Sequence, residues 1–526
     1  MPRGQLVLLF NSYEFIFLFF PLCALGFFIC ARYFSLDTAL GFLVFASLGF
    51  YAYWKPAYLL LLLFSIGFNF AVGRALSSEN FWRRRSTLIF GIAVNLGLLA
   101  YFKYANFFID NVNAAFGMHW DVGTIFLPLA ISFFTFQQIS YLVDAWQGKT
   151  HEYNFLHYAL FVCFFPQLIA GPIVHHKAII PQFMKPENLT PRWSNFAVGI
   201  SIFAIGLFKK TVIADSLSAY VGPVYDAGSV GSNVDFFRAW GSSLAYTFQL
   251  YFDFSGYSDM AIGAARVFGI RLPVNFFSPY KSTSIIEFWR RWHITLSQFL
   301  RDYLYIALGG NRKGATRRYV NLFLTMLLGG LWHGAGWPFV IWGGLHGSYL
   351  MVNHGWRHIM SRLGWDFSDR AGYRAASWIL TFLAVVFSWV YFRAPTLEHG
   401  NQIVLAMLGM SGFHIPAGIL ARLGETGTSL VAMGMVPVQG GGAAIISNYL
   451  WIMIVAPIAL VLPNVAQIFN KHEPVLYEND KAFRNIRGSK LLSWDYNNRW
   501  AVAVALAGVA GILTLQQVSE FLYFQF

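Results

Sequence analysis

Polar residues interrupt this chain rarely and at wide intervals. After Asn11-Ser12-Tyr13-Glu14, an apolar run extends to Ala31. Further apolar stretches occupy 38–52, 57–73, 88–102, 123–143, 155–174, 195–221, 236–268, 319–350, 374–392, 448–469 and 500–524. A spanning helix needs roughly 20 mostly apolar residues, and several of these stretches reach that length. None alternates apolar and polar positions as a barrel strand does, so the pattern predicts helices. Some stretches must be re-entrant or paired short helices, which predicts about 11 to 13 membrane helices. Arg3 alone makes a thin positive leader and no small-x-small site follows, so the first run reads as a retained span. No internal repeat is visible. The predicted fold class is all-α: a polytopic membrane protein with one integral domain over residues 1–526.

Composition agrees with that pattern. Of 526 residues, 57% are apolar and 12% charged, whereas a soluble domain carries about 25% charged residues. That excludes an ordinary soluble enzyme, and the apolar content excludes a disordered chain. The net charge is 37 − 24 = +13. In a membrane protein such an excess marks cytoplasmic loops and gives no sign of nucleic-acid binding. Arg83-Arg84-Arg85 and Lys209-Lys210 read as cytoplasmic on this basis. Two regions read as extramembrane loops. Residues 396–446 are Gly-rich. Residues 470–499 mix Lys471, Lys481, Arg484, Arg487 and Lys490 with Glu473, Glu478 and Asp480. Cys23, Cys30 and Cys163 lie in apolar runs and match no metal or disulfide spacing, so they read as apolar fillers.

The chemistry concentrates in the middle of the chain. Residues 281–318 hold eight basic residues, Lys281, Arg290, Arg291, Arg301, Arg312, Lys313, Arg317 and Arg318, against Glu287 and Asp302. Aromatic and apolar residues separate them, among them Trp289, Trp292 and Tyr303. The pattern is that of interfacial amphipathic helix. It serves either cytoplasmic topology or capture of a phosphorylated ligand, which guanidinium groups suit. Next, Leu331-Trp332-His333-Gly334 sets a histidine inside an apolar stretch flanked by Gly329, Gly330 and Gly334. An intramembrane histidine is costly and usually functional, and a neutral one can act as a general base. The alternative is a helix–helix hydrogen bond. His293 and Asp302 are nine residues apart and face opposite ways on one unbroken helix, whereas Trp289, His293 and Ser297 share a face. Asp253, Tyr257 and Asp259 are further polar residues at membrane depth, the two acids reading as structural groups bonded to Tyr or Arg. His175-His176 reads as an interfacial loop, and His354 with His358 as a solvated face, with no metal site. No nucleophile elbow, phosphate loop or dinucleotide fingerprint occurs, which disfavours a serine hydrolase or a nucleotide-driven pump.

Several long stretches together carry a resemblance. They are Asn11–Phe15, Tyr101–Phe107 (YFKYANF), Leu127–Asp144 (LPLAISFFTFQQISYLVD), Pro166–Pro172 (PQLIAGP), Tyr251–Gly263 (YFDFSGYSDMAIG), Phe288–Lys313, Asn321–Gly334 (NLFLTMLLGGLWHG) and Glu520–Phe526 (EFLYFQF). Through them the chain resembles the bacterial membrane-bound O-acyltransferase family, in particular the branch that serves alginate O-acetylation. The resemblance implies a ring of membrane helices around a thinned centre crossed by a tunnel, with a catalytic core at about 125–350. It implies that His333 is the catalytic histidine, His293 the second histidine and Asp302 a third participant. Gln167 departs from the pattern, where many alginate-type relatives would carry His.

The resemblance also implies a reaction. An acetyl group passes from cytoplasmic acetyl-CoA to an acceptor on the periplasmic side of a bacterial inner membrane, with no bound cofactor. His333 takes the acceptor hydroxyl proton, and Asp302 or His293 orients it or steadies the developing charge. Arg290, Arg291, Asn311, Arg312 and Lys313, with Trp289, Trp292 and Trp332, become candidates for holding the donor along its path. The implied partner is a periplasmic or membrane-anchored acceptor protein with a Ser-His-Asp site, within an exopolysaccharide biosynthesis complex. Acetylation of cellulose or peptidoglycan, and D-alanyl transfer to teichoic acid, are alternatives within catalysis. A polysaccharide-precursor transporter or flippase, with His333 as a proton relay, is the alternative outside it.

Overall fold

A computed structural model describes residues 8–76, 81–150, 152, 154–226, 234–476, 492–516 and 522. Among them, six helices are long and apolar enough to cross a membrane: Phe15–Tyr33, Pro56–Ala75, Trp82–Phe116, Trp193–Tyr225, Ala371–Arg393 and Gly442–Leu460. Leu36–Ala52 and Asn498–Leu513 are shorter apolar helices. Four more helices carry polar residues into the interior: Ile131–Trp146, Phe236–Val267, Gly314–His333 and Trp337–Arg362. The chain is an all-α polytopic membrane protein.

Local chemistry sets where these helices start. Asp235 is the N-cap of Phe236–Val267, and its carboxylate accepts from the backbone N–H groups of Phe237 and Arg238 at 2.9 and 3.1 Å. Ser284 caps Ile285–Arg291 in the same way, accepting from Glu287 N at 3.2 Å. Each cap satisfies donors that a helix start leaves unpaired.

Two helices then approach so closely that only glycine fits between them. Trp193–Phe208 runs antiparallel to Phe236–Val267. A Cβ on Gly199 would lie 2.7 Å from Gly263 O, and one on Gly206 would lie 2.7 Å from Gly256 O. The reciprocal contacts from Gly263 and Gly256 are 2.5 and 2.8 Å. Both glycine pairs are seven residues apart on each helix, two turns, so they stack on one face. Such small-residue contacts are how membrane helices gain packing without a hydrophobic drive. The hairpin of Gly314–His333 and Trp337–Arg362 uses the same device: a Cβ on Gly343 would lie 2.5 Å from Met326 O.

The region expected to be a loop at 396–446 is ordered structure. It contains the helices Leu397–Met407, Ala417–Arg422 and Glu425–Ala432. Two short strands, His414–Pro416 and Val436–Val438, pair in parallel with Ile415 opposite Pro437. Its end also starts the span Gly442–Leu460. In the polar stretch 470–499, Lys471 pairs with Asp495 at 3.3 Å. Glu478, Asp480, Lys481, Arg484, Arg487 and Lys490 lie outside the described residues.

The glycine contact generates a prediction. Gly263→Val forces an isopropyl group against the backbone of Gly199 and Phe203, at a cost of about 1–3 kcal/mol. The thermal midpoint of the detergent-extracted variant should fall, and a midpoint equal to the parent's would refute the close approach.

Candidate active site

His333 is the last residue of the helix Gly314–His333, just before the Gly334-Ala335-Gly336 turn of the hairpin. Its side chain is buried in an aromatic cage. The ring centroids of Trp332, Trp342 and Phe392 lie 4.9, 5.1 and 5.1 Å from the imidazole. Its Nδ1 is buried without a hydrogen-bond partner in the protein.

The second histidine stands across the same cavity. The His293 and His333 ring centroids are 6.4 Å apart. Both line a cavity of about 20 Å³ together with Leu250, Asp253, Phe254, Trp292, Trp389, Phe392 and Leu522. That volume suits a water-sized guest, so an acetyl thioester must displace side chains to enter.

His293 does not sit within a continuous helix. The chain breaks between Ile285–Arg291 and Ile294–Phe299, and His293 adopts φ 42°, ψ 55° there. A left-handed conformation at a non-glycine residue costs about 1–3 kcal/mol and persists only where surroundings enforce it. Asn275 enforces it. Its backbone carbonyl accepts from Ile294 N at 2.9 Å. Its Oδ1 accepts from Thr295 N at 3.3 Å and from the Thr295 hydroxyl at 3.1 Å. The backbone donor identifies that side-chain atom as oxygen, so the 3.1 Å contact from His293 Nδ1 must be a donated N–H. The proton therefore sits on Nδ1. Nε2 keeps its lone pair and has no protein partner. The expected shared face of Trp289, His293 and Ser297 is lost at this break: Trp289 instead packs on Trp342 and His346, at 5.8 and 5.1 Å.

The carboxylates are distributed differently from expectation. Asp302 is not brought to the cavity. It lies on the π-helical turn Leu300–Tyr305 and pairs with its neighbour Arg301 at 2.7 Å, both side chains substantially exposed. Bending the chain at His293 does not bring it inward. Asp253 is the carboxylate that lines the cavity. It pairs with Lys210 at 2.5 Å, a partner the sequence reading did not name. Lys210 is fully buried and also meets Asp215 at 2.7 Å. Asp259 pairs with Lys209 at 2.6 Å and lines a separate small cavity with Asn275 and Phe276. Tyr257 is not among the residues lining the histidine cavity and stacks on Phe10 at 4.7 Å.

The basic block divides in two. Lys281, Arg291, Arg301 and Arg318 are tied down, to Val461 O and Leu462 O, to Glu287, to Asp302 and to His354. Arg290, Asn311, Arg312, Lys313 and Arg317 are exposed. Trp292 reaches the cavity, while Trp332 stacks on Phe136 at 5.1 Å and backs His333. His175 meets Asp144 at 3.5 Å and Tyr303 at 3.2 Å, and His176 meets Glu152 at 3.0 Å, so this supposed plain loop is bonded into the protein. Among the described residues no group of three side chains could hold a metal ion.

Several site residues were not read from the sequence. Asn275 has no motif signal of its own. His346 is buried, shares a hydrogen bond with Ser388 Oγ at 2.9 Å and packs on Trp342 at 4.8 Å. The rule that singled out His333, a histidine within an apolar stretch, applies to it equally. Leu522 is the described residue of the stretch Glu520–Phe526, and it is 1% exposed.

Comparison with known proteins places the chain among acyltransferases. A family model for the membrane-bound O-acyltransferase family matches residues 147–393. That range contains Asp253, Asn275, His293, His333 and His346. The chain is 46% identical over 435 residues to the peptidoglycan O-acetyltransferase of Helicobacter pylori, covering 77% of this chain and 81% of the relative. It is 38% identical to a probable alginate O-acetylase of Pseudomonas putida, covering 99% and 100%. It is 28% identical to the teichoic acid D-alanyltransferase of Bacillus subtilis, covering 52% and 70%.

The Asn275 clamp makes a checkable prediction. Asn275→Ala removes the acceptor that fixes the His293 tautomer, about 1 kcal/mol or more of hydrogen bonding. Acyl-transfer turnover should fall roughly tenfold with the protein still inserted. Turnover equal to the parent's would free His293 from any dependence on this contact.

Proposed function

The chain belongs to the membrane-bound O-acyltransferase family, and from that premise we propose that it acetylates a secreted polysaccharide of the alginate type, using cytoplasmic acetyl-CoA. That it is a multi-pass O-acyltransferase follows from the family and from relatives named for acyl transfer. The end-to-end match to an alginate O-acetylase favours the alginate-type acceptor over peptidoglycan, whose named enzyme matches over a smaller share of this chain. The observation that carries the mechanism is that His333 and His293 share one cavity.

In this reading a hydroxyl of the acceptor attacks the thioester carbonyl. The new C–O bond forms, the C–S bond breaks, and coenzyme A leaves as thiol. His333 takes the hydroxyl proton and returns it to the departing sulfur. His293, its lone pair held at Nε2 by Asn275, orients the acceptor hydroxyl. The carboxylate of Asp253 steadies the positive charge that forms on His333, and its pairing with Lys210 holds it in place. The exposed Arg290, Arg312 and Lys313 hold the phosphates of the donor at the interface, with Asn311 beside them. The acceptor protein is a periplasmic or membrane-anchored partner with a Ser-His-Asp site, acting in an exopolysaccharide biosynthesis complex, and the membrane is the bacterial inner membrane.

Labelled acetyl-CoA supplied to inverted membrane vesicles tests this reading. Label should enter the polysaccharide, and transport of precursor without an acetylated product would refute it. His333→Ala should abolish transfer at normal insertion, and full transfer by that variant would remove His333 from the mechanism. Arg312→Gln with Lys313→Gln should raise KM for acetyl-CoA more than it lowers kcat. An unchanged KM would return those charges to plain membrane topology.

A further inference from the structure

The helix that carries His333 ends in the protein interior, and its last carbonyls need partners there. An α-helix leaves its final four C=O groups without intrahelical donors. In Gly314–His333 these belong to Gly330, Leu331, Trp332 and His333. Gly330 O accepts from Gly334 N at 3.3 Å. Leu331 O accepts from the Tyr104 hydroxyl at 2.7 Å. Trp332 O and His333 O both accept from the Lys103 ammonium, the latter at 3.0 Å. All four are therefore satisfied, three of them by two adjacent side chains some 230 positions away in sequence.

The local backbone makes this possible. Lys103 and Tyr104 end a π-helical turn, Ala100–Tyr104, inside the span Trp82–Phe116. Neighbouring residues on a regular helix point about 100° apart. The wider turn breaks that regularity, as π-bulges at functional sites do, and both side chains reach one helix end. No carboxylate among the described residues pairs with Lys103. Its charge is held by the negative pole of this helix and by the Trp332 ring, whose centroid lies 5.8 Å away. A cation at membrane depth with no carboxylate partner is expensive and usually functional.

We propose that Lys103 is a positioning residue for His333. Its ammonium, assisted by the Tyr104 hydroxyl, fixes the end of the helix and so fixes where the imidazole stands against the acceptor hydroxyl. The proposal rests on the reading of His333 as the base. It adds a residue outside the matched family range 147–393 to the machinery of the site.

Acetyl transfer in vesicles, with acetyl-CoA varied, separates the possibilities. Lys103→Met should lower kcat by about ten- to a hundredfold, the range for losing charge-assisted hydrogen bonds. KM should stay within about twofold, because the donor's phosphates bind elsewhere in this scheme. Lys103→Arg, which keeps charge and donors, should recover most of the loss. Tyr104→Phe, which deletes one hydroxyl, should lower kcat in the same direction by less. Lys103→Met with the parent's kcat overturns the inference, as does a loss that appears in KM alone or that Lys103→Arg fails to recover. Should Lys103→Met not insert, Tyr104→Phe with the parent's kcat overturns it. Transfer by His333→Ala would instead overturn the reading of His333 on which it rests.

Discussion

Every charge and backbone carbonyl that this chain carries to membrane depth must find its partner inside the protein, because hydrocarbon offers none. Lys210 shows the constraint most sharply. It is fully buried and held between Asp215 and Asp253. A buried ion pair adds little net stability, but removing one partner strands a charge at several kcal/mol. The triad therefore behaves as a unit. Asp253 is its only member that also lines the cavity of the two histidines. A structural requirement and the cavity of the two histidines meet in that side chain.

Close backbone approach makes such pairing geometrically possible. The glycine contacts 199–263 and 206–256 set the register of two antiparallel helices. Continuing that register past Gly206 brings the Lys209-Lys210 turn alongside Asp253 and Asp259. In the hairpin, glycines again remove the side chains that would hold the two helices apart, and the tip presents His333. Packing and chemistry thus use the same positions: without the close approach the lysines would not reach their acids.

The overall class was legible because it depends on composition and run length, which are local quantities. His333 was legible because a histidine within an apolar, glycine-flanked stretch is conspicuous by itself. Asp302 entered as a candidate through the resemblance, although its spacing from His293 already set the two on opposite faces of a regular helix. The left-handed break at His293 and the π turn at Leu300–Tyr305 send it to the surface, and neither feature has a local signal. Asp253 was recognised as buried, but its lysine partner lies on another helix. Asn275 and Lys103 were missed for the same reason: one acts through a turn 18 residues away, the other across 230.

By itself the sequence determined that this is a helical membrane protein, that charge gathers before a buried histidine, and which stretches resemble acyltransferases. Those properties follow from side-chain transfer energies and short-range order, which need no neighbours. Only the tertiary structure decided which carboxylate faces the histidines, which nitrogen of His293 carries the proton, and what closes the end of the His333 helix. Those depend on hydrogen bonds between segments far apart in the chain, whose directions become fixed only once the helices have packed.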